Sequence, residues 1–180
     1  MYIWNSILNQ NDFFVLHFDN INIPKIYTVS YFGLSLVSMP LTYYLDHHFS
    51  IFTTLEYFSY TMFLSFNLLY FLCIYIPIGR LKYIIFFLLM IIISISDLVY
   101  NSLGAALASR FNTNENTLLF TGKAFSGLMT NLLMMLSILL NRSKNVDSIF
   151  KVYLWVGNAV IIFYLLLKIK FFRNCLKGIY

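Results

Sequence analysis

The chain has 180 residues, of which 60% are hydrophobic, 19% aromatic and only 11% charged, with a net charge of +5. Soluble domains carry about 25% charged residues, so this composition argues against a water-soluble domain and for a polytopic, all-α membrane protein embedded in a lipid bilayer. The twelve basic residues fall mainly between apolar runs and at the C-terminus, where they read as membrane-flank anchors rather than a nucleic-acid surface.

Residues 1–8, MYIWNSIL, read as the end of a helix whose beginning is missing. Such a segment covers about 12 Å of a hydrocarbon core about 30 Å thick. Asn9 to Lys25 is polar and aromatic and is expected to form an interfacial loop. The first complete span is predicted over 26–45, with Pro40 inside it as a tolerated kink. Asp46-His47-His48 ends this span. Adjacent helical residues point about 100° apart and no further ligand lies close by, so the His pair reads as a membrane-edge turn, with no metal site.

The second span is predicted over 57–76, followed by a tight basic turn at Pro77, Gly79, Arg80 and Lys82. The third covers 83–109. Its first half is nearly pure Ile, Leu and Phe and is expected to meet lipid; its second half turns small and polar and is expected to face protein or a cavity. Asn112 and Glu115 have the spacing of a capping box before a fourth span over 117–140. The last span is predicted over 149–167, ahead of a tail carrying Lys168, Lys170, Arg173 and Lys177. The whole chain, 1–180, is expected to form a single transmembrane domain. Basic residues do not fix its orientation, because the tail favours a cytoplasmic C-terminus while the loops do not.

Chemistry concentrates between Ser94 and Asn131. Asp97 lies in the middle third of its span, where an acid costs about 2.5–3.5 kcal/mol to insert. Asn101 follows one turn later on the same face, with Ser94, Tyr100 and Ser102 nearby. The group suits either a polar cavity wall or an interhelical hydrogen-bond cluster. Gly104 with Ala108, and Gly122 with Ser126 and Gly127, have the small-residue spacing that lets helices approach closely. Lys123 is placed to snorkel to the interface or pair with an acid. No hydrolase, phosphate-binding or metal-ligand motif is present, so neither enzymatic activity nor a cofactor is expected.

The order of motifs resembles the N-terminal half of the equilibrative nucleoside transporters. Ile3-Trp4-Asn5 followed by Asp12-Phe13-Phe14 is similar to that family's first-helix signature, with Ile3 where proline is usual. Met39-Pro40-Leu41 is similar to the proline-centred stretch of its second helix. Asn101-Ser102 through Gly122-Lys123-Ala124-Phe125-Ser126-Gly127 resembles its fourth and fifth helices, with Asn101 and Lys123 where glutamines are usual. The resemblance implies the six-helix N-terminal half of a major-facilitator-like fold, completed by a missing C-terminal half or a partner bundle. It implies facilitated diffusion of nucleosides or nucleobases by alternating access, with the plasma membrane favoured over an internal one. Trp4 would stack on the base, Asn101 would pair with its edge, and Asn5, Leu8, Leu41 and Asp97 would complete the site. The alternative is a membrane scaffold or inactive fragment that does not transport.

Overall fold

The computed structural model describes residues 2–18, 23–110, 113–140 and 145–177, with side chains except at 2–4, 8, 23–24, 113–116, 118–120, 123, 160–161 and 164–177. All regular structure among the described residues is helical: α1 (Tyr2–Asn9), α2 (Asn11–His17), α3 (Ile23–His48), α4 (Ile51–Tyr75), α5 (Arg80–Ser109), α6 (Thr113–Leu140) and α7 (Val146–Lys177). The chain divides into two compact units, 1–130 and 131–180, the division falling inside α6.

In the first unit α5 packs along both α3 and α4, which meet each other far less. Side chains fix the direction of α3 against α5. Tyr31 reaches Asp97, and farther along both helices Arg110 pairs with Asp46. The sequence offset is 66 at the first contact and 64 at the second, so the two helices run parallel with α4 returning between them in sequence. Arg110 Nη2 lies 2.9 Å from both carboxylate oxygens of Asp46, tying the C-terminal ends of α3 and α5. Asp46 therefore does more than end a span, while His47 and His48 are exposed, and His48 Nδ1 sits 3.0 Å from the Tyr44 carbonyl.

The stretch expected as an interfacial loop contains α2. Phe13, Phe14 and Phe18 are fully buried. Phe13 stacks on Tyr70 of α4, while Phe14 and Phe18 meet Phe86 of α5. Seven residues are too short for hydropathy periodicity to reveal a helix, and a helix this short is marginal on its own; its three phenyl rings in the α4–α5 interface hold it.

The basic turn before α5 also behaves differently from a row of surface anchors. Arg80 is exposed, but Lys82 is buried, donates to the Cys73 carbonyl at 2.9 Å and stands 5.1 Å from the Phe18 ring centroid. Cys73 belongs to the last turn of α4, whose carbonyls have no partner within their own helix. Lys82 satisfies one of them and places its cation where the helix dipole is negative.

Among the described residues two helices, α4 and α5, are long and apolar enough to cross a membrane. At 26 residues α3 also has the length, roughly 39 Å, and it carries nine hydroxyls, as many as α4. Three of these turn back onto their own helix. Ser35 donates to the Phe32 carbonyl, Ser38 to Ser35 and Thr42 to Ser38, on either side of Pro40. Thr54, Ser59, Thr61 and Asn67 do the same in α4. Such back-bonding satisfies a polar side chain without water. On α4 the outward residues Tyr57, Tyr60, Leu64, Leu68, Phe71 and Tyr75 form one apolar stripe at helical spacing.

The second unit holds the end of α6 and α7. Asn145 caps α7 by accepting the Asp147 amide at 3.1 Å. Phe150, Tyr153 and Leu154 are buried on α7, with Phe150 and Tyr153 stacked at 6.4 Å between ring centroids. The Ser137 hydroxyl of α6 donates to the Leu133 carbonyl.

Candidate functional site

The polar groups of α5 gather on the face turned to α3. Ser94, Asp97 and Asn101 recur at intervals of three and four residues and so line one side of the helix. Ser94 is fully buried and Asp97 is 1% exposed; Asn101 is half-buried. The Asn101 amide donates to the backbone carbonyl of Asp97 at 2.8 Å. This fixes its orientation and uses one of its two amide hydrogens.

The other half of the cluster comes from α3. Tyr27 and Tyr31 are one helical turn apart and face α5 together. The Tyr31 hydroxyl donates to Asp97 Oδ2 at 3.2 Å. Tyr27 is fully buried, and its hydroxyl lies beside Ser94, Asp97 and Tyr31. The Asn101 side chain neighbours Tyr31. Three hydroxyls, a carboxyl group and an amide thus meet between two parallel helices, with Thr28, Ser30, Ser96 and Tyr100 at the same level. Chemically, the cluster can accept hydrogen bonds at Asp97 and pass them along through hydroxyls that both donate and accept.

Sequence reading singled out Asp97, Asn101 and Ser94 and missed both tyrosines. Tyrosine is abundant in this chain, with 14 copies, so any one of them reads as aromatic filler. The available signal was the i, i+4 pairing of Tyr27 and Tyr31, which matches the one-turn spacing of Asp97 and Asn101. Two further buried polar residues, Ser6 and Gln10 of the α1 segment, were also passed over.

The remaining expected site residues scatter. Leu41 is half-buried on α3, beyond Pro40. Asn5 is half-buried on α1, and its Nδ2 lies 3.5 Å from where a Cβ on Gly127 would stand. An alanine at Gly127 would therefore meet Asn5 in ordinary van der Waals contact. At Gly104 and Gly122 an added Cβ would meet nothing within 4 Å among the described residues, so the close approach expected of those two is not seen there. Ala108 is buried and Ser126 half-buried. Tyr100 is half-buried and Ser102 exposed. The side chains of Trp4, Leu8, Glu115 and Lys123, and residue Asn112 with them, lie outside the described residues. The base-stacking, snorkelling and capping-box expectations attached to them therefore have no geometry here.

Among the described residues no group of three or more His, Cys, Asp or Glu side chains could hold a metal ion. A separate groove of about 570 Å³ opens where α3 turns into α4, lined by Leu45, His48, Phe49, Thr53, Tyr57 and Phe58 among others. It is well removed along the helices from Asp97 and is mostly apolar. Comparisons with protein-family models, curated proteins and solved structures give no match.

Proposed function

We propose that this chain is a multi-pass membrane protein forming the N-terminal, substrate-handling bundle of a facilitative transporter for nucleosides or nucleobases. Helices α3 to α7 would cross the bilayer, with the plasma membrane as the expected location and a C-terminal half or partner bundle completing the pathway. The apolar stripes on α4 and α5 and the back-bonded hydroxyls of α3 and α4 support the lipid setting. In hydrocarbon, every polar group must find its partner within the protein.

The observation that carries the transport reading is the placement of Asp97. It is an acid near the middle of the most apolar helix, enclosed, and met from the neighbouring helix by a tyrosine hydroxyl. Ionisable residues at such depth are rare and mark substrate or ion pathways. The motif order around Trp4, Pro40, Asn101 and Gly122 supplies the substrate class, and a base edge suits the asparagine beside the acid.

The Tyr31–Asp97 bond also supports a second reading, in which the cluster only holds α3 to α5 in a non-transporting scaffold. Uptake separates the two. Cells expressing the chain with its completing half should accumulate radiolabelled adenosine, and Asn101→Ala should lower that uptake at least tenfold while the protein still reaches the membrane. Full uptake in that variant would remove Asn101 from the site. No uptake from the unmodified protein would favour the scaffold.

A further inference from the structure

We propose that the groove where α3 turns into α4 binds a membrane sterol, holding a rigid apolar ring body with its single hydroxyl at His48. The proposal rests on the membrane setting of the reading above and is independent of the transported substrate.

The level of the groove in the bilayer follows from helix length. At 25 residues α4 is roughly 37 Å long, and the hydrocarbon core is about 30 Å thick. The first turn of α4 therefore lies at headgroup level and the second enters the hydrocarbon. The groove follows the same gradient. His48, Ser50, Thr53 and Thr54 supply its polar groups at the turn, while Tyr57 and Phe58 line it farther along α4. From Ser50 to Tyr57 it follows about 10 Å of helix. An acyl chain runs the depth of a leaflet, about 15 Å, so a shorter, stiffer body matches this length. The volume of about 570 Å³ is that of a small-molecule site. Phe49, Tyr57 and Phe58 offer aromatic surface to a flat apolar body.

The polar end selects the head group. His48 Nδ1 lies 3.0 Å from the Tyr44 carbonyl. A carbonyl can only accept, so Nδ1 carries the hydrogen and Nε2 of the neutral ring is an acceptor. Stacking on Tyr44, with 4.2 Å between ring centroids, holds the imidazole in this orientation. The Thr54 hydroxyl donates to the Ser50 carbonyl, so its oxygen is also left to accept. The end of the groove therefore calls for a hydrogen-bond donor. Charge points the same way. Among the described residues that line the groove none is Lys or Arg. The acidic residues that border the lining in sequence, Asp46 and Glu56, oppose an anion, and Arg110 is committed to Asp46. A phosphate or fatty-acid head would find no lysine or arginine there. A neutral hydroxyl on an apolar body suits both ends of the groove.

The test is photolabelling of the full chain in phosphatidylcholine nanodiscs by a diazirine-bearing cholesterol that keeps its hydroxyl, with labelled peptides mapped by mass spectrometry. Label is expected within residues 45–58. Unlabelled cholesterol should compete at a concentration about threefold or more below that of cholestenone, whose ketone accepts but cannot donate; this is the factor for an average hydrogen bond in a membrane. His48→Phe keeps a ring on Tyr44 and removes the acceptor, so the two competitors should become equal while the label remains. Thr53→Trp fills the groove and should remove the label. Should His48→Phe fail to fold, the comparison of the two competitors on the unmodified protein still decides. Label confined to other segments, equal competition on the unmodified protein, or a preference that survives His48→Phe would overturn the proposal. So would competition by dioleoylphosphatidylglycerol as strong as that of cholesterol, which would make the groove an acyl-chain site. Adenosine uptake reports the transport reading separately, so either can fail alone; a chain that does not enter nanodiscs would overturn both.

Discussion

The two halves of α5 lie on one continuous helix and yet meet different surroundings. From Leu81 to Ile92 its exposed positions, Leu81, Ile84, Phe87, Leu88, Ile91 and Ile92, are large and apolar. From Ile93 onward the helix turns inward. Ile93, Ser94, Ser96, Asp97, Val99, Leu103 and Ala108 are buried, and between Ile93 and Ala108 only Ser102 is exposed. The same backbone thus turns an apolar stripe outward at one end and forms a polar wall against α3 at the other. The first half has a packed side too, through Lys82, Phe86, Leu89 and Met90, so the two halves differ in what their outward positions carry. The partner differs too, since α3 contributes Tyr27 and Tyr31 to the second half while the first half turns a stripe outward.

The strongest way to break this comparison is at its exception. Lys82 belongs to the outward half but is buried against Phe18 and the Cys73 carbonyl. Lys82→Ala should destabilise the bundle by about 3 kcal/mol in detergent unfolding, combining a lost charged hydrogen bond with a cavity under α2. Lys82→Met refills the space without burying a charge and should recover part of that loss. If Lys82→Ala leaves unfolding unchanged, the lysine does not hold α2.

Next comes the boundary itself. In lipid the transfer component of a core truncation vanishes, because both states are apolar, and the cavity component remains. Ile93→Ala should therefore cost about 2 kcal/mol and Ile92→Ala less than about 0.5 kcal/mol. Equal effects at the two positions would erase the division. A smaller effect is expected across the polar wall. A double-mutant cycle on Tyr31→Phe and Asp97→Asn should return a coupling of about 0.6 kcal/mol, the mean for hydrogen bonds within membrane bundles. A coupling near zero would separate the two side chains. The smallest effect is expected where α3 and α5 end. Arg110 is exposed and Asp46 partly so, so Arg110→Ala should cost less than about 1 kcal/mol, a loss that added salt reduces further.

Much of the helical pattern was legible in the sequence. The spans read over 26–45, 57–76, 83–109 and 117–140 sit within or nearly within α3, α4, α5 and α6, and 149–167 lies within α7. Helix ends were read short where polar residues continue the helix. The first turns of α4 carry Thr53, Thr54 and Glu56, and Thr54 returns its hydroxyl to the Ser50 carbonyl, so polarity there did not mean loop. The helix α2 was invisible because its stability comes from phenyl rings entering the interface of two distant segments, which local pattern does not encode. In the polar cluster, Asp97 stood out because an acid inside an apolar run is costly. Tyr31 did not, because a tyrosine satisfies an apolar pattern and a polar contact equally well. Gly104 and Gly122 show the converse: small-residue spacing permits close approach without requiring it.

The central claim is that α5 passes from lipid into a protein interior along its own length. Spin labels placed singly at Ile84, Leu88, Ile91, Ile93, Ser94 and Leu103, with the chain in bilayers, test this directly. Collision with oxygen reports lipid, and collision with a soluble nickel chelate reports water. The account predicts high oxygen and low nickel accessibility at Ile84, Leu88 and Ile91, and low values for both at Ile93, Ser94 and Leu103. High nickel accessibility at Ile84 and Leu88 would place the outward half of α5 in water and contradict the membrane account.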